Sequence, residues 1–220
     1  MKTPVRALGN ATRQANKKLR RENIFNIAKR LIAENGLEDF TISQLASEAG
    51  VTTPTIHNLF GKKKDIINEL VAVLIEQMRS NTLHPPSDPI ENTKFFVGHM
   101  VLAFEQDEDF YRAAFMAAEQ VRLFDPRIPD GLFQRAQKLA APRREWYESG
   151  LLLGNVEPKA IMRKVHNSNR LGRLDWAAGY IDLAEFRRQV SENILLAYAC
   201  DASPELHARL TKEINRVYSL

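Results

Sequence analysis

Residues 49 to 66, AGVTTPTIHNLFGKKKDI, bring Thr52, Thr53, Thr55, His57 and Asn58 together and follow them with Lys62, Lys63 and Lys64. These groups suit a nucleic-acid surface. A carboxamide such as that of Asn58 can pair with adenine, and a threonine methyl can lie against the methyl of thymine. An ammonium group beside free backbone N–H groups at a helix start can hold a phosphate. From Ala49 to Lys64 no acid interrupts the run. Other chemistries find less support. The five histidines, at 57, 84, 99, 166 and 207, show neither His-x-x-x-His nor His-x-x-Glu spacing, and Cys200 is the single cysteine. That spacing predicts no metal site. GKKK lacks the upstream glycine and the Ser/Thr of a phosphate-binding loop, and neither a Gly-x-Ser-x-Gly elbow nor a dinucleotide fingerprint occurs. The expectation is a protein with no catalytic residues and no cofactor.

The elements that must carry the basic stretch are helical. Ile24, Ile27, Ala28, Leu31 and Ile32 recur at helical spacing, and Gly36 follows as a stop. Thr41 and Gln44 form a capping box that starts a short helix from about Ile42 to Ala49. Gly50 supplies a turn and Val51 an apolar plug; Thr52 is a new N-cap, with Pro54 tolerated in the first turn. A third helix then ends near Phe60, and Gly61 breaks it before a longer helix from Lys63 to Arg79. Two short helices joined by such a turn have the form of a helix-turn-helix, whose second helix offers its N-terminal residues to the major groove. With Val51, Ile56 and Phe60 inward, Thr53, Thr55, His57 and Asn58 are left outward. Lysines at a helix N-terminus oppose the macrodipole at a cost of about 0.3 to 1 kcal/mol, so an external partner is expected to offset it.

FTISQLASEAGVTTPTIHNLFGKKKDII resembles the DNA-binding motif of the TetR family of bacterial repressors, with Leu45-Ala46, Ala49-Gly50-Val51, Pro54-Thr55-Ile56, Phe60 and Lys63 in register over residues 24 to 67. The resemblance implies phosphate contacts from Thr41, His57 and Lys63, and base contacts from Ser43, Thr53, Thr55 and Asn58. His57 stands where the family usually has tyrosine, and Leu59 where it often has histidine or tyrosine. Beyond residue 67 the likeness is one of helix count and of GYIDLAEF, the entry to the penultimate helix.

The rest of the chain also reads as helix: from the Asp88/Glu91 box to about Glu105, from Asp109 to Leu123, from Gly131 to Ser149 with a kink at Pro142, from Pro158 to about Ala178, from Leu183 to Ala199, and from Pro204 to Tyr218. No alternating strand pattern appears, so the class is all-α: a three-helix N-terminal helix-turn-helix domain plus a larger C-terminal helical domain. The division is a flexible basic arm over 1–21, the DNA-binding domain over 22–67, and an effector-binding and dimerisation domain over 68–220. Basic termini are common, and a solvated tail without function stays open for the arm.

Leu183, Phe186, Val190, Ile194 and Ala197 form one stripe, and the helix before it carries small residues at Ser168, Gly172, Ala177 and Ala178. Internal packing is one reading of this pair. The family resemblance implies the other, a two-fold four-helix dimer interface through Ser168, Gly172, Phe186, Val190, Ile194 and Ala197. In the middle helices most aromatic and Met positions are core by spacing. The resemblance places an effector pocket among them, with His99, Met100, Tyr111, Phe115, Trp146, Tyr147, His166 and Asn169 as its candidates.

Charge divides in the same way as the motifs. Residues 1–67 hold 12 Lys/Arg and 6 Asp/Glu, net +6, whereas residues 68–220 hold 19 and 21, net −2. A basic module on a slightly acidic body points to a polyanion as partner of the first third. The N-terminus has no apolar run after its positive charge, and no stretch approaches the roughly 18 to 20 apolar residues of a membrane span. With one cysteine, a reducing cytoplasm and no membrane are expected. The combined reading is a homodimeric regulator, a repressor on a palindromic double-stranded operator, released by a small and partly apolar molecule. A nucleoid-associated DNA binder without an effector is the alternative, and a helical ligand carrier that has lost DNA binding is the third.

Overall fold

The computed structural model describes residues 5–80, 85–120, 122, 125, 127 and 141–217. Among them ten helices follow one another: α1 (Val5–Asp39), α2 (Ile42–Glu48), α3 (Thr53–Phe60), α4 (Lys63–Ser80), α5 (Pro89–Gln106), α6 (Glu108–Gln120), α7 (Arg144–Glu148), α8 (Pro158–Ala177), α9 (Leu183–Ala199) and α10 (Pro204–Val217). Among the described residues the β structure is a single isolated antiparallel bridge, Leu152 to Ala202. The fold is all-α.

Residues 5–21, in the segment expected as a flexible basic arm, are helical and continuous with the first core helix. The cause is propensity. No proline lies between Pro4 and Pro54, and Ala, Leu, Gln, Lys and Arg dominate the segment. Residues from 24 onward nucleate a helix that extends back at little cost. Residues 14–20 are all exposed, so this part of α1 stands without tertiary packing. At the other end, Gly36 leaves helical geometry at φ +72°, where the sequence places a stop.

The core of the first unit joins Ile24, Ala28, Leu31 and Ile32 of α1 to Phe40, Leu45, Ile56 and Phe60, and to Ile66, Ile67, Leu70 and Val71 of α4. Both α1 and α4 also pack on α6. There the Lys29 ammonium lies 2.5 Å from the Asp107 carboxylate and 4.4 Å from the centre of the Phe110 ring. The body forms around Phe104 of α5, stacked on Trp176 at 4.6 Å and 6°, with Tyr111, Phe115 and Phe186 at its edges.

Helices α8 and α9 pair with each other inside one chain. Gly172 is buried there, and a Cβ on it would stand 2.8 Å from Cγ2 of Val190 and 3.5 Å from the Phe186 ring. Phe186, Val190, Ile194 and Ala197 are likewise buried in the single chain, and Ser168 is half-buried. The stripe Gly172, Phe186, Val190, Ile194 and Ala197 is therefore internal core, which corrects the dimer interface assigned to it. The small residue at 172 lets the two helices of one chain approach. Their outward faces carry other apolar residues, Leu171 at 60% and Leu196 at 46% exposure.

Pro142 also differs from expectation. It lies in a non-helical link, and α7 begins two residues later, so it precedes a helix and does not kink one. Residues 131–140, Leu123 and Tyr218, which belong to the expected helices, lie outside the described residues.

Candidate nucleic-acid interface and ligand site

The local sequence builds the turn from its own hydrogen bonds. The Thr41 hydroxyl accepts the Gln44 N–H at 3.1 Å and caps α2. The Gln44 Oε1 has no hydrogen-bond partner, so only one half of the capping box forms. Gly50 adopts φ +61°, and the Val51 N–H returns to the Ala46 carbonyl at 2.9 Å. Thr52 occupies the N-cap position of α3, yet its hydroxyl makes no capping bond; it lies 2.9 Å from the Thr55 hydroxyl. Arg30 of α1 pairs with Glu48, fixing α2 against α1.

On this frame Ile56 and Phe60 point inward, whereas Thr41, Ser43, His57 and Asn58 are exposed and Thr53, Thr55 and Lys63 are half-buried. Leu59 is half-buried against the core, which accounts for an apolar residue at that position. His57 places Nδ1 2.8 Å from the Gly61 carbonyl. Gly61 has φ +86°, and a Cβ there would meet Asp65 Oδ2 at 2.5 Å. Asp65 in turn accepts the Lys62 N–H at 2.8 Å and places an acid in the first turn of α4. The dipole cost of the lysines is thus offset from within the chain, correcting the expectation of an external partner for it. Lys63 extends along the domain, its Nζ 3.5 Å from the Glu38 carbonyl and 5.7 Å from the Phe40 ring centre.

The eight candidate ligand residues divide between different places. Trp146 and Tyr147 sit at a corner made by α7. The Trp146 Nε1–H donates to the Ser87 carbonyl at 2.6 Å, its ring lies edge-on to Tyr198 at 5.2 Å, and the Tyr147 hydroxyl is buried without a hydrogen-bond partner. Burial, with Asp201 next in weight, pushes the Tyr147 phenol up. Asp201 organises this corner by accepting the backbone N–H groups of Gly154, Asn155 and Val156 at 2.8 to 3.1 Å. His99 bonds back to the Phe95 carbonyl of its own helix at 2.8 Å.

Met100, Tyr111, Phe115, His166 and Asn169 are all buried, and they meet around the inner side of α8. The Asn169 amide Nδ2 donates to Met100 Sδ at 3.8 Å, while Tyr111 and Phe115 lie 6.2 Å apart, ring centre to ring centre. Burial holds the His166 imidazole down to about 4, with the Arg173 and Arg170 charges acting in the same direction. Arg173 and Trp176 of the same helix are also buried, and neither is among the sequence candidates. Their signal was available as spacing, since 166, 169, 173 and 176 repeat at three and four residues. A separate groove of about 760 Å³ between α5, α9 and α10 contains none of the eight. Among the described residues no group of three His, Cys, Asp or Glu could hold a metal ion, and no helix is long and apolar enough to cross a membrane.

Comparison with known proteins agrees with this geometry. Residues 24–70 match the family described as bacterial regulatory proteins, tetR family. The HTH-type transcriptional regulator BetI of Agrobacterium fabrum is 32% identical over 65 residues, which are 30% of this chain and 32% of that one, so the match spans about a third of the relative's length. Among solved structures, a TetR-family transcriptional regulator from Syntrophomonas wolfei aligns with a TM-score of 0.65 at 21% identity, covering 82% of this chain and 95% of that chain. Thermus thermophilus FadR, a TetR-family repressor solved in complex with lauroyl-CoA, aligns with a TM-score of 0.53 at 21% identity, covering 80% of this chain and 92% of that chain. The structural likeness shows the shared fold, and the sequence likeness to the tetR family of bacterial regulatory proteins lies in residues 24–70, across α1 to α4.

Proposed function

We propose that this protein is a cytoplasmic, DNA-binding transcriptional repressor that reads a palindromic operator as a homodimer and leaves it when a small, partly apolar effector binds the body. The observation that carries the reading is the surface of α2 and α3. Thr41, Ser43, His57 and Asn58 face solvent on a rigid, capped helix-turn-helix whose net charge is positive. Asn58 and Ser43, with Thr53 and Thr55, are assigned to base edges; Thr41, His57 and Lys63 are assigned to phosphates. The route for release is the packing of α1 and α4 on α6, through which a change in the body alters the spacing of two recognition helices. The bound lauroyl-CoA of Thermus thermophilus FadR supports an effector site in a body of this fold.

Dimerisation is assigned to the outward faces of α8 and α9, around Leu171 and Leu196, because the inward faces are consumed within the chain. A mobility-shift assay with genomic fragments tests the reading. A discrete high-affinity fragment is expected, bound by the wild type and not by Asn58→Ala; uniform binding of all fragments would leave a nucleoid-type binder in its place.

A further inference from the structure

The sequence has no acid before Glu22, and Arg6, Arg13, Lys17 and Arg20 follow one another at steps of seven, four and three residues. Because α1 is helical from Val5 onward, these steps put the four positions in one row along a single side of the rod. From residue 6 to residue 20 the row is about 21 Å long at 1.5 Å per residue. Lys17 and Arg20 are exposed, as is the whole of 14–20 around them. Lys18, off the row, pairs with Glu22 at 3.9 Å. Like charges three and four residues apart on a helix repel, so the row does not stabilise the helix that carries it.

The place of the row is set by Arg21. Its guanidinium lies 4.5 Å from the centre of the Phe60 ring, on the last residue of α3, and 2.5 Å from the Glu69 carboxylate of α4. These two contacts fix α1 where it leaves the domain, at the C-terminal end of the helix whose Thr53, Thr55, His57 and Asn58 are assigned to DNA. Duplex lying on α3 continues past that end, within reach of a rod that projects about 24 Å beyond Arg21.

A row of this kind fits a polyanion of regular charge spacing. A strand of B-DNA carries one phosphate about every 3.4 Å of helix axis, so the row runs past about six of them. A membrane-surface helix instead sets bulky apolar residues opposite its cations. The positions opposite the row are Leu8, Ala11, Ala15 and Leu19, with two alanines between the leucines.

We infer that this row is a second DNA contact, binding the phosphate backbone of the duplex that flanks the bases read by α2 and α3. Its cations displace counterions condensed on the duplex, and the contact carries no base preference. The inference rests on the DNA-binding reading above and extends the footprint of each protomer beyond the helix-turn-helix.

The test compares the full chain with the double variant Lys17→Gln, Arg20→Gln, whose two exposed substitutions should leave the melting temperature unchanged. The probes are the tightest fragment from the mobility-shift assay, a scrambled duplex of the same length, and that fragment trimmed to the hydroxyl-radical footprint of the double variant. The variant is expected to bind the first two more weakly, with a salt slope lower by about two units per protomer and a shorter footprint. On the trimmed duplex the two proteins should bind alike. Lys17→Arg with Arg20→Lys keeps the charge and should behave as the wild type. An unchanged slope and footprint in the Gln variant overturns the row as a DNA contact and leaves the regulator standing. A slope lost equally on the trimmed duplex places the row over the bases read by α3 and overturns the flanking contact. A slope lost while the wild type prefers no fragment upholds the row and overturns the operator reading. Binding to phosphatidylglycerol vesicles that the Gln variant loses, with DNA binding unchanged, assigns the row to a membrane and overturns the inference. A wild type that binds no duplex overturns both readings.

Discussion

His57 donates its Nδ1–H to the backbone carbonyl of Gly61 across 2.8 Å. A carbonyl can only accept, so Nδ1 carries the proton, and in the neutral ring Nε2 is left as an acceptor. The bond holds the exposed ring in one orientation at the end of α3.

His57→Phe keeps the ring and loses both nitrogens, so it is expected to weaken DNA binding by about tenfold at most, the worth of one hydrogen bond. Fluorescence anisotropy with a labelled duplex at constant ionic strength measures it, and unchanged affinity in that variant would remove His57 from the phosphate contact.

Lys63 and Asn58 should fail in different ways. Lys63→Ala is expected to weaken cognate and random DNA alike and to reduce the salt slope by about one unit, whereas Asn58→Ala should cost about 1 to 3 kcal/mol at one base pair of each half-site. Titrations at several salt concentrations, on cognate and scrambled duplexes, distinguish the two.

Gly172→Ala places a methyl 2.8 Å from Cγ2 of Val190 and is expected to destabilise the fold by about 1 to 3 kcal/mol. Adding Val190→Ala should recover part of that loss, giving a double variant whose cost is less than the sum of the two. Denaturant unfolding reads this coupling. By contrast, Leu171→Glu and Leu196→Glu lie on exposed positions and should leave a folded chain while shifting sedimentation toward the monomer.

Acid should destabilise the body through His166. Its folded value is about 4 and its unfolded value 6.5, so between them the unfolded chain binds more protons. Stability conferred by the neutral buried ring is complete above 6.5 and is lost as pH falls toward 4, by about 2 to 3 kcal/mol. Urea denaturation at pH 7 and at pH 4.5 measures the loss, and His166→Gln should flatten it.

The helix-turn-helix was legible in the sequence because its signals are local. Thr41, Gly50, Pro54 and Gly61 each act on backbone within four residues of themselves, and the structure places a cap, a turn, a first-turn proline and a break at those points. The stripe through Phe186, Val190, Ile194 and Ala197 was legible as apolar but not as internal. Its partner Gly172 lies on the preceding helix, and an apolar stripe carries no mark of whether the covering surface is its own chain or another. The helix over residues 5–20 was not legible because apolar periodicity ends at Ile24 while helix propensity does not. Arg173 and Trp176 were passed over because an arginine amid helical core spacing resembles a solvated residue until burial is known.

The length of α1 has a mechanical consequence. From Arg21, where the helix is pinned to Glu69 and the Phe60 ring, back to Val5 is about 24 Å of rod at 1.5 Å per residue. A tilt of about 5° at the pin displaces the far end by about 2 Å over that reach. The overhang behaves as the long arm of a lever, converting a rotation too small to disturb the core into a sideways step comparable to the loss of a hydrogen bond. A shortened chain beginning near residue 21 would keep the pivot and lose the gearing.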